Sequence, residues 1–176
     1  MSSARKWDER YRAMEREPSV NETVKEFASG LGPGRALDLA CGVGQNAKYL
    51  ASLGFLVDAI DISHEALKRI GEHPGITPIL ADLRHYELPK ERYDLIVVTN
   101  FLDRRLFGPI KEALRKDGVV IYETMTYEKK RFNPAYLLER NELLKAFGDL
   151  EVIYYRLKGE RAALVARKWQ CTPKRS

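Results

Sequence analysis

The sequence predicts an α/β fold, a doubly wound and mostly parallel sheet that ends in an antiparallel hairpin. Three observations predict it. From Arg35 onward, short apolar runs alternate with helical patterns through five strands. A glycine-rich turn, Gly42-Val43-Gly44, joins the first apolar run to the helix that follows it. Near the end, Lys158-Gly159-Glu160 separates two further strand-like runs, which is a hairpin signal.

Two helices precede the sheet. The first runs from about Ala4 to Arg16 and stops ahead of Pro18. The second opens with Ser19-Val20-Asn21-Glu22, a capping-box pattern with Ser19 as cap and Glu22 reaching back. It closes near Gly30, and Gly32-Pro33-Gly34 breaks the chain. Arg35 to Ala40 then reads as a buried strand, Gln45 to Leu53 as a helix closed by Gly54, and Phe55 to Ile60 as the next strand. Ser63 can cap a helix over His64 to Ile70. Ile76 to Ala81 is the third strand. Tyr93 to Thr99 is the fourth, with the near-continuous apolar run of a strand covered on both faces. Pro109 suits the first turn of a helix reaching about Arg115. Val119 to Thr124 is the fifth strand. Asn133-Pro134 opens helical sequence that reaches Phe147, and Gly148 stops it. Leu150 to Leu157 and Arg161 to Lys168 form the hairpin, making seven strands.

Composition narrows the class. At 176 residues, 44% hydrophobic and 31% charged, the chain suits one globular domain over residues 1–176. In that domain 1–30 form a helical cover and 35–168 the sheet core. No run approaches the ~18 apolar residues of a membrane span. The first residues, MSSARKWDERYR, hold no apolar signal core, so secretion is not expected and a cytoplasmic setting is. Cys41 and Cys171 lack metal-ligand spacing, as do His64, His73 and His85, so no metal site is expected. The net charge is +5, with its densest clusters at Lys129-Lys130-Arg131 and Lys174-Arg175. A basic chain can meet RNA or DNA, but these lysines and arginines are spread along the chain, which favours a solvated surface.

Gly42, Gly44 and Ala47 satisfy G-x-G-x-x-G/A between a strand and a helix, and Asp61 ends the next strand where a ribose-binding acid would sit. That pattern alone admits NAD. Asp38 shifts the balance: a carboxylate four residues before Gly42 would repel a pyrophosphate. S-adenosylmethionine has no phosphate and carries a sulfonium and an ammonium. Asp82, in Ala81-Asp82-Leu83 after the third strand, can accept a hydrogen bond from adenine's amine, and Asp61 can accept from two ribose hydroxyls. Read singly, Asp38 can instead orient the loop's own amides, and Asp82 can cap a helix.

The loop Asp38-Leu39-Ala40-Cys41-Gly42-Val43-Gly44 resembles the D-x-G-x-G-x-G loop of class I S-adenosylmethionine-dependent methyltransferases. Asp61 and Ala81-Asp82-Leu83 resemble that superfamily's next two cofactor motifs, and the terminal hairpin its reversed last strand. The likeness spans Arg35 to Lys168 and is nearest to small tellurite-resistance-type methyltransferases. It departs at Ala40, where glycine is common, and at Asp117-Gly118, where Pro-Gly or Gly-Gly is usual. The resemblance implies a Rossmann-like sheet, S-adenosylmethionine as cofactor and S-adenosylhomocysteine as product. It also implies cofactor contacts from Asp38, Ala40, Cys41, Gly42, Gly44 and Asn46, and from Asp61, Ile62, Asp82, Leu83, Thr99 and Asn100. Trp7 and Tyr11, four residues apart on one side of a helix, resemble the Trp-Asp-x-x-Tyr segment that covers the cofactor in several small methyltransferases. Packing against the sheet edge is the alternative for both.

The acceptor is expected beyond the ends of strands four and five. Glu123 is the candidate general base, with an ion pair to Arg104 or Arg105 as the alternative. Arg12, Phe101, Arg104 and Tyr127 are candidate acceptor contacts, and Arg105 and Arg131 further cations for an anionic acceptor. Asn100 lacks the prolines of amino-methylating motifs and is read as a polar contact or a turn residue. A small-molecule acceptor is expected, with RNA or protein as the alternative. A nicotinamide oxidoreductase and a non-catalytic partner subunit come behind. Oligomeric state is left open.

Overall fold

The computed structural model describes residues 3–169; Cys171, Lys174 and Arg175 lie outside the described residues. The strands are β1 (Arg35–Leu39), β2 (Leu56–Asp61), β3 (Ile76–Leu80), β4 (Tyr93–Thr99), β5 (Leu114–Met125), β6 (Glu151–Lys158) and β7 (Arg161–Arg167). The helices are α1 (Ser3–Arg12), α2 (Glu22–Ala28), α3 (Gln45–Ser52), α4 (His64–Lys68), α5 (Phe107–Ala113) and α6 (Glu142–Phe147). The strands form one sheet in the order β3-β2-β1-β4-β5-β7-β6. Pairing is parallel from β3 through β5, and β7 runs antiparallel to both β5 and β6. This is the expected seven-stranded doubly wound architecture with a C-terminal hairpin.

Alternation along the strands builds two cores. Leu37, Leu39, Ile96, Val98 and Tyr122 pack on one face with Ile110 of α5 and Phe147 of α6. Ala36, Leu95, Val97 and Ile121 pack on the other with Val24 of α2, Leu50 of α3 and Leu67 of α4. Period two then assigns the polar residues. Asp38, Thr99 and Glu123 share the second face, near the C-terminal ends of β1, β4 and β5. Between β1 and β4 the winding reverses, and such a switch point opens a ligand crevice.

Four local expectations change. The first helix ends at Arg12 rather than Arg16. The second is capped by Asn21, whose side chain accepts from the Val24 amide at 3.1 Å, and not by Ser19. Glu22 is that helix's first residue, and its carboxylate takes Lys25 at 3.0 Å rather than reaching back to Ser19. The helix expected from Asn133-Pro134 shrinks to one 3-10 turn, Pro134–Tyr136, with a true helix only from Glu142. The reason is tertiary. Leu138 bonds Met125 and Tyr127 through its main chain at 2.9 Å each, and this holds the segment extended. Arg104 clamps it further by donating to the carbonyls of Ala135 and Leu137. Finally, β5 starts early, at Leu114, which lies opposite Tyr93 of β4.

Candidate functional site

The turn after β1 alternates left-handed residues: Ala40 has φ 53°, Gly42 56° and Gly44 78°. Gly44 caps α3 without a side chain. A Cβ there would lie 2.7 Å from Cγ1 of Ile70, so loop and α4 can approach closely only around glycine. A Cβ on Gly42 would meet the Tyr11 hydroxyl at 2.8 Å. The Cys41 amide donates to the Ile60 carbonyl at 2.9 Å, tying the turn to β2. The Cys41 thiol is buried, and burial pushes its pKa well up. That leaves it a packing group, not a nucleophile.

Three carboxylates border this turn in three different states. Asp38 is 1% exposed, and neither of its oxygens has a partner in hydrogen-bonding geometry. Burial pushes its pKa up to about 8; the nearby Ala47 amide pulls it partly back and the Asp61 charge adds to the rise. Asp61 is also buried, but it holds the turn: Oδ2 accepts from the Gly42 amide at 2.8 Å and Oδ1 from the Ser63 amide at 2.9 Å. Burial raises its pKa despite those amides. Asp61 thus orients the turn through two amides, while Asp38 meets the Ala47 amide of α3. Asp82, beside half-buried Leu83, is forked onto Arg84 with its pKa lowered to about 2, first by the Arg84 side chain and then by its amide. It caps no helix.

Helix α1 is fastened over this corner. Asp8 accepts from the Ser63 hydroxyl at 2.6 Å and the Glu65 amide at 3.1 Å, adding a second carboxylate to the start of α4. Arg69, which follows the last residue of α4, donates to the carbonyls of Tyr11 and Met14 at 2.7 and 2.9 Å. Trp7 and Tyr11 stack with centroids 5.9 Å apart, and Arg10 lies over Trp7 at 5.0 Å. Burial and the nearby Asp61 raise the Tyr11 pKa, so its hydroxyl stays protonated beside Gly42. Arg12 pairs with Glu65 at 3.3 Å, which makes it part of this fastening rather than a group aimed at an acceptor. Ile62 is half-buried between Asp61 and Ser63.

The floor beyond β4 and β5 carries a second network. Asn46 spends its side chain on structure: its Oδ1 accepts from the Asn21 amide at 3.0 Å and its Nδ2 donates to Thr99 Oγ1 at 3.0 Å. Asn100 adopts φ 56°, and its amide donates to the Glu123 carbonyl at 2.9 Å. Glu123, read from sequence as a base, is tied up instead. Thr23 Oγ1 and Arg161 Nε donate to its two oxygens, the latter at 2.7 Å, and Arg156 lies 4.0 Å away. Burial alone would raise its pKa, but Thr23 and Arg161 outweigh burial and hold it below the ordinary glutamate value. A carboxylate so engaged is a poor proton acceptor. Its ion-pair partner is Arg161, not Arg104 or Arg105. Arg161 also donates to Asn100 Oδ1 at 2.7 Å.

The remaining acceptor candidates separate. Arg104 donates to Glu142 at 2.5 and 3.0 Å besides its two carbonyls, so its role is to clamp the segment after β5. Arg105 is paired with Asp103 at 2.5 Å. Phe101 is half-buried, and its carbonyl accepts from the Tyr122 hydroxyl at 3.0 Å. Tyr127 and Arg131 are exposed. Sequence reasoning missed Asp8, Thr23, Arg69 and Arg161. The first stood inside the Trp-Asp-x-x-Tyr segment and was legible there. The others gain their roles only from packing between distant elements.

A buried carboxylate under a glycine turn, a second acid at the next strand end and a crevice at the sheet's switch point are what the resemblance to class I S-adenosylmethionine-dependent methyltransferases implies. Residues 36–118 match the methyltransferase domain family. The chain resembles TehB of Haemophilus influenzae, a probable S-adenosyl-L-methionine-dependent methyltransferase. The two are 26% identical over 85% of this chain and 63% of TehB, so the chain spans less than two thirds of that relative. The crystal structure of TehB superposes with a TM-score of 0.77 at 22% identity, over 92% of this chain and 67% of TehB. A putative methyltransferase of Bacillus subtilis, YqeM, is 28% identical over 51% of this chain and 42% of its own length. A Haemonchus contortus phosphoethanolamine N-methyltransferase, solved with phosphomonomethylethanolamine and S-adenosylhomocysteine, shares the fold with a TM-score of 0.69 at 15% identity. That match covers 84% of this chain and 52% of the enzyme. Among the described residues no helix is long and apolar enough to cross a membrane, and no cluster of His, Cys, Asp or Glu could hold a metal.

Proposed function

We propose that this chain transfers a methyl group from S-adenosylmethionine to a small-molecule acceptor in the cytoplasm. The carrying observation is Asp38, fully buried with no cation beside it, engaged at most weakly by the Ala47 amide, and pushed to a pKa of about 8 beside the glycine turn. A buried acceptor left without a donor is costly in isolation and becomes favourable once a cation reaches it. That fits the ammonium end of S-adenosylmethionine and disfavours a pyrophosphate. Asp61, still holding free lone pairs, would take the ribose, and Tyr11 and Trp7 would cover it from α1. Asp82 is available to adenine only if its fork with Arg84 loosens.

When bound, S-adenosylmethionine supplies a methyl group on sulfur that leaves by in-line displacement. The chain's own contribution is alignment, because Glu123 is committed to Thr23 and Arg161. The acceptor therefore meets the crevice with an available lone pair and no dedicated base. Support for a small acceptor comes from fold relatives that act on small molecules, such as the phosphoethanolamine enzyme. The test is thermal stability with S-adenosylmethionine, S-adenosylhomocysteine, NAD and NADP in parallel. The two adenosyl ligands at a hundred times their dissociation constant should each add about 2.7 kcal/mol. Stabilisation by NAD alone would refute the reading. Label transferred to total RNA or total protein, but to no member of a metabolite panel, would move the acceptor to a macromolecule.

A further inference from the structure

The two edges of the sheet differ. β3 is five residues long and carries Pro78 at its centre. Val57 donates to Gly75 and Ala81 to Asp61, so the odd-numbered residues of this edge turn their main chain toward β2. Pro78 therefore sits in the outward row, where it presents no N–H. Such a proline blocks an edge against a further strand. β6 is eight residues long, Glu151-Val152-Ile153-Tyr154-Tyr155-Arg156-Leu157-Lys158, with neither proline nor glycine. Val152, Ile153 and Leu157 are 37, 43 and 49% exposed along it. Its one irregularity is a bulge between Val152 and Tyr154.

We infer that two copies of this chain pair through β6 into one continuous sheet. The occupant follows from the strand's own charges. Set antiparallel to itself with Tyr155 facing its own copy, and with the bulge between Val152 and Tyr154 absorbing one residue on each strand, β6 places Glu151 opposite the partner's Lys158 and Val152 opposite the partner's Leu157, and the two-fold axis repeats both contacts. Opposite charges and paired apolar side chains across strands both favour this register. The surface is self-complementary, as a two-fold interface requires. Because Pro78 closes the other edge, addition stops at two copies and no filament grows. The inference does not depend on the methyl-transfer reading.

Sedimentation equilibrium of the full chain, from low to high micromolar concentration, tests it. The expected limit is twice the 20.2 kDa chain mass. Glu151→Lys or Lys158→Glu alone should weaken the dimer about ten-fold, since each sets like charges opposite at two symmetric places. The double charge swap should restore it. Glu151 and Lys158 are both exposed, so a thermal melt should show each variant folded. A monomer at every concentration, growth past two copies, or a dimer indifferent to both single variants would each overturn the proposal.

Discussion

The crevice has two halves that hold their acids in opposite ways. At the ends of β1 and β2, Asp38 is buried without a partner and Asp61 braces the glycine turn, and burial raises both pKa values. At the ends of β4, β5 and β7, Glu123 is equally buried but saturated by Thr23 and Arg161, and its pKa is lowered. The difference teaches how to separate a ligand site from a scaffold. On the proposed function an unsatisfied buried carboxylate takes its cation from outside, whereas a satisfied one already has its cation within the chain. The first half should lose binding when altered, and the second should lose stability.

The largest expected effect lies in the second half. Glu123→Gln leaves Arg161 without its charge partner and Thr23 with a poorer acceptor. Breaking a buried ion pair from one side costs about 3–5 kcal/mol, and the partial exposure of Arg161 places this case at about 2–3. Urea unfolding should show that loss, while the affinity for S-adenosylmethionine measured on the folded fraction changes little. A variant of normal stability with abolished turnover would restore Glu123 as the base and erase the contrast between the halves.

Asp61→Ala comes next and belongs to the first half. It removes two amide bonds and the acceptor for ribose, and a hydrogen bond to a charged group is worth about 1.5–3 kcal/mol. Titration calorimetry should show S-adenosylmethionine affinity falling between about ten-fold and a hundred-fold. Unchanged affinity would mean that Asp61 only braces the turn.

Asp38→Asn sharpens the comparison through pH. Between the ordinary carboxylate range and about pH 8 the unfolded chain has Asp38 ionised, while the folded chain keeps it protonated. The folded state then binds more protons, so Asp38 lowers stability progressively as pH rises through that window. At pH 8 the Asn variant should be more stable than the parent by about 1–3 kcal/mol, the desolvation penalty of an unsatisfied group. In the parent, a cationic ligand should expel a proton at neutral pH, visible as a dependence of binding heat on buffer ionisation. Its affinity should rise toward pH 8 and then level off. Loss of both signatures in the variant, with weaker binding, is the expected outcome. Their persistence would locate the proton elsewhere.

The first half was legible in sequence because its parts are neighbours along the chain. Asp38, Gly42 and Gly44 lie within one turn, and Asp61 ends the next strand, so spacing alone brings them together. The strands were legible for the same reason, since their alternation is local. The partners of Glu123 were not legible because they come from Thr23 on α2 and Arg161 on β7, and only the β5–β7 register sets Arg161 near it. The helix after Pro134 was misread because Arg104, some thirty residues earlier, competes for its carbonyls. Propensity carries no information about such a competitor.

The smallest effects test the fastening of α1, where a part-buried and an exposed contact sit side by side. Asp8 closes the start of α4 through a hydroxyl and an amide, so Asp8→Ala removes a cap-like interaction and should lower the unfolding midpoint. The Arg12–Glu65 pair is 3.3 Å long with Arg12 60% exposed, and such solvent-screened pairs contribute little. Arg12→Ala should therefore shift the unfolding midpoint by less than Asp8→Ala does, and added salt should erase what shift there is. Both variants loosen the same helix over the glycine turn. If α1 covers the bound cofactor, each should speed its dissociation in stopped-flow measurements, in the same order as it lowers stability. Faster dissociation from Arg12→Ala than from Asp8→Ala would give Arg12 a direct contact with the ligand, in place of the fastening role that its pairing with Glu65 supports.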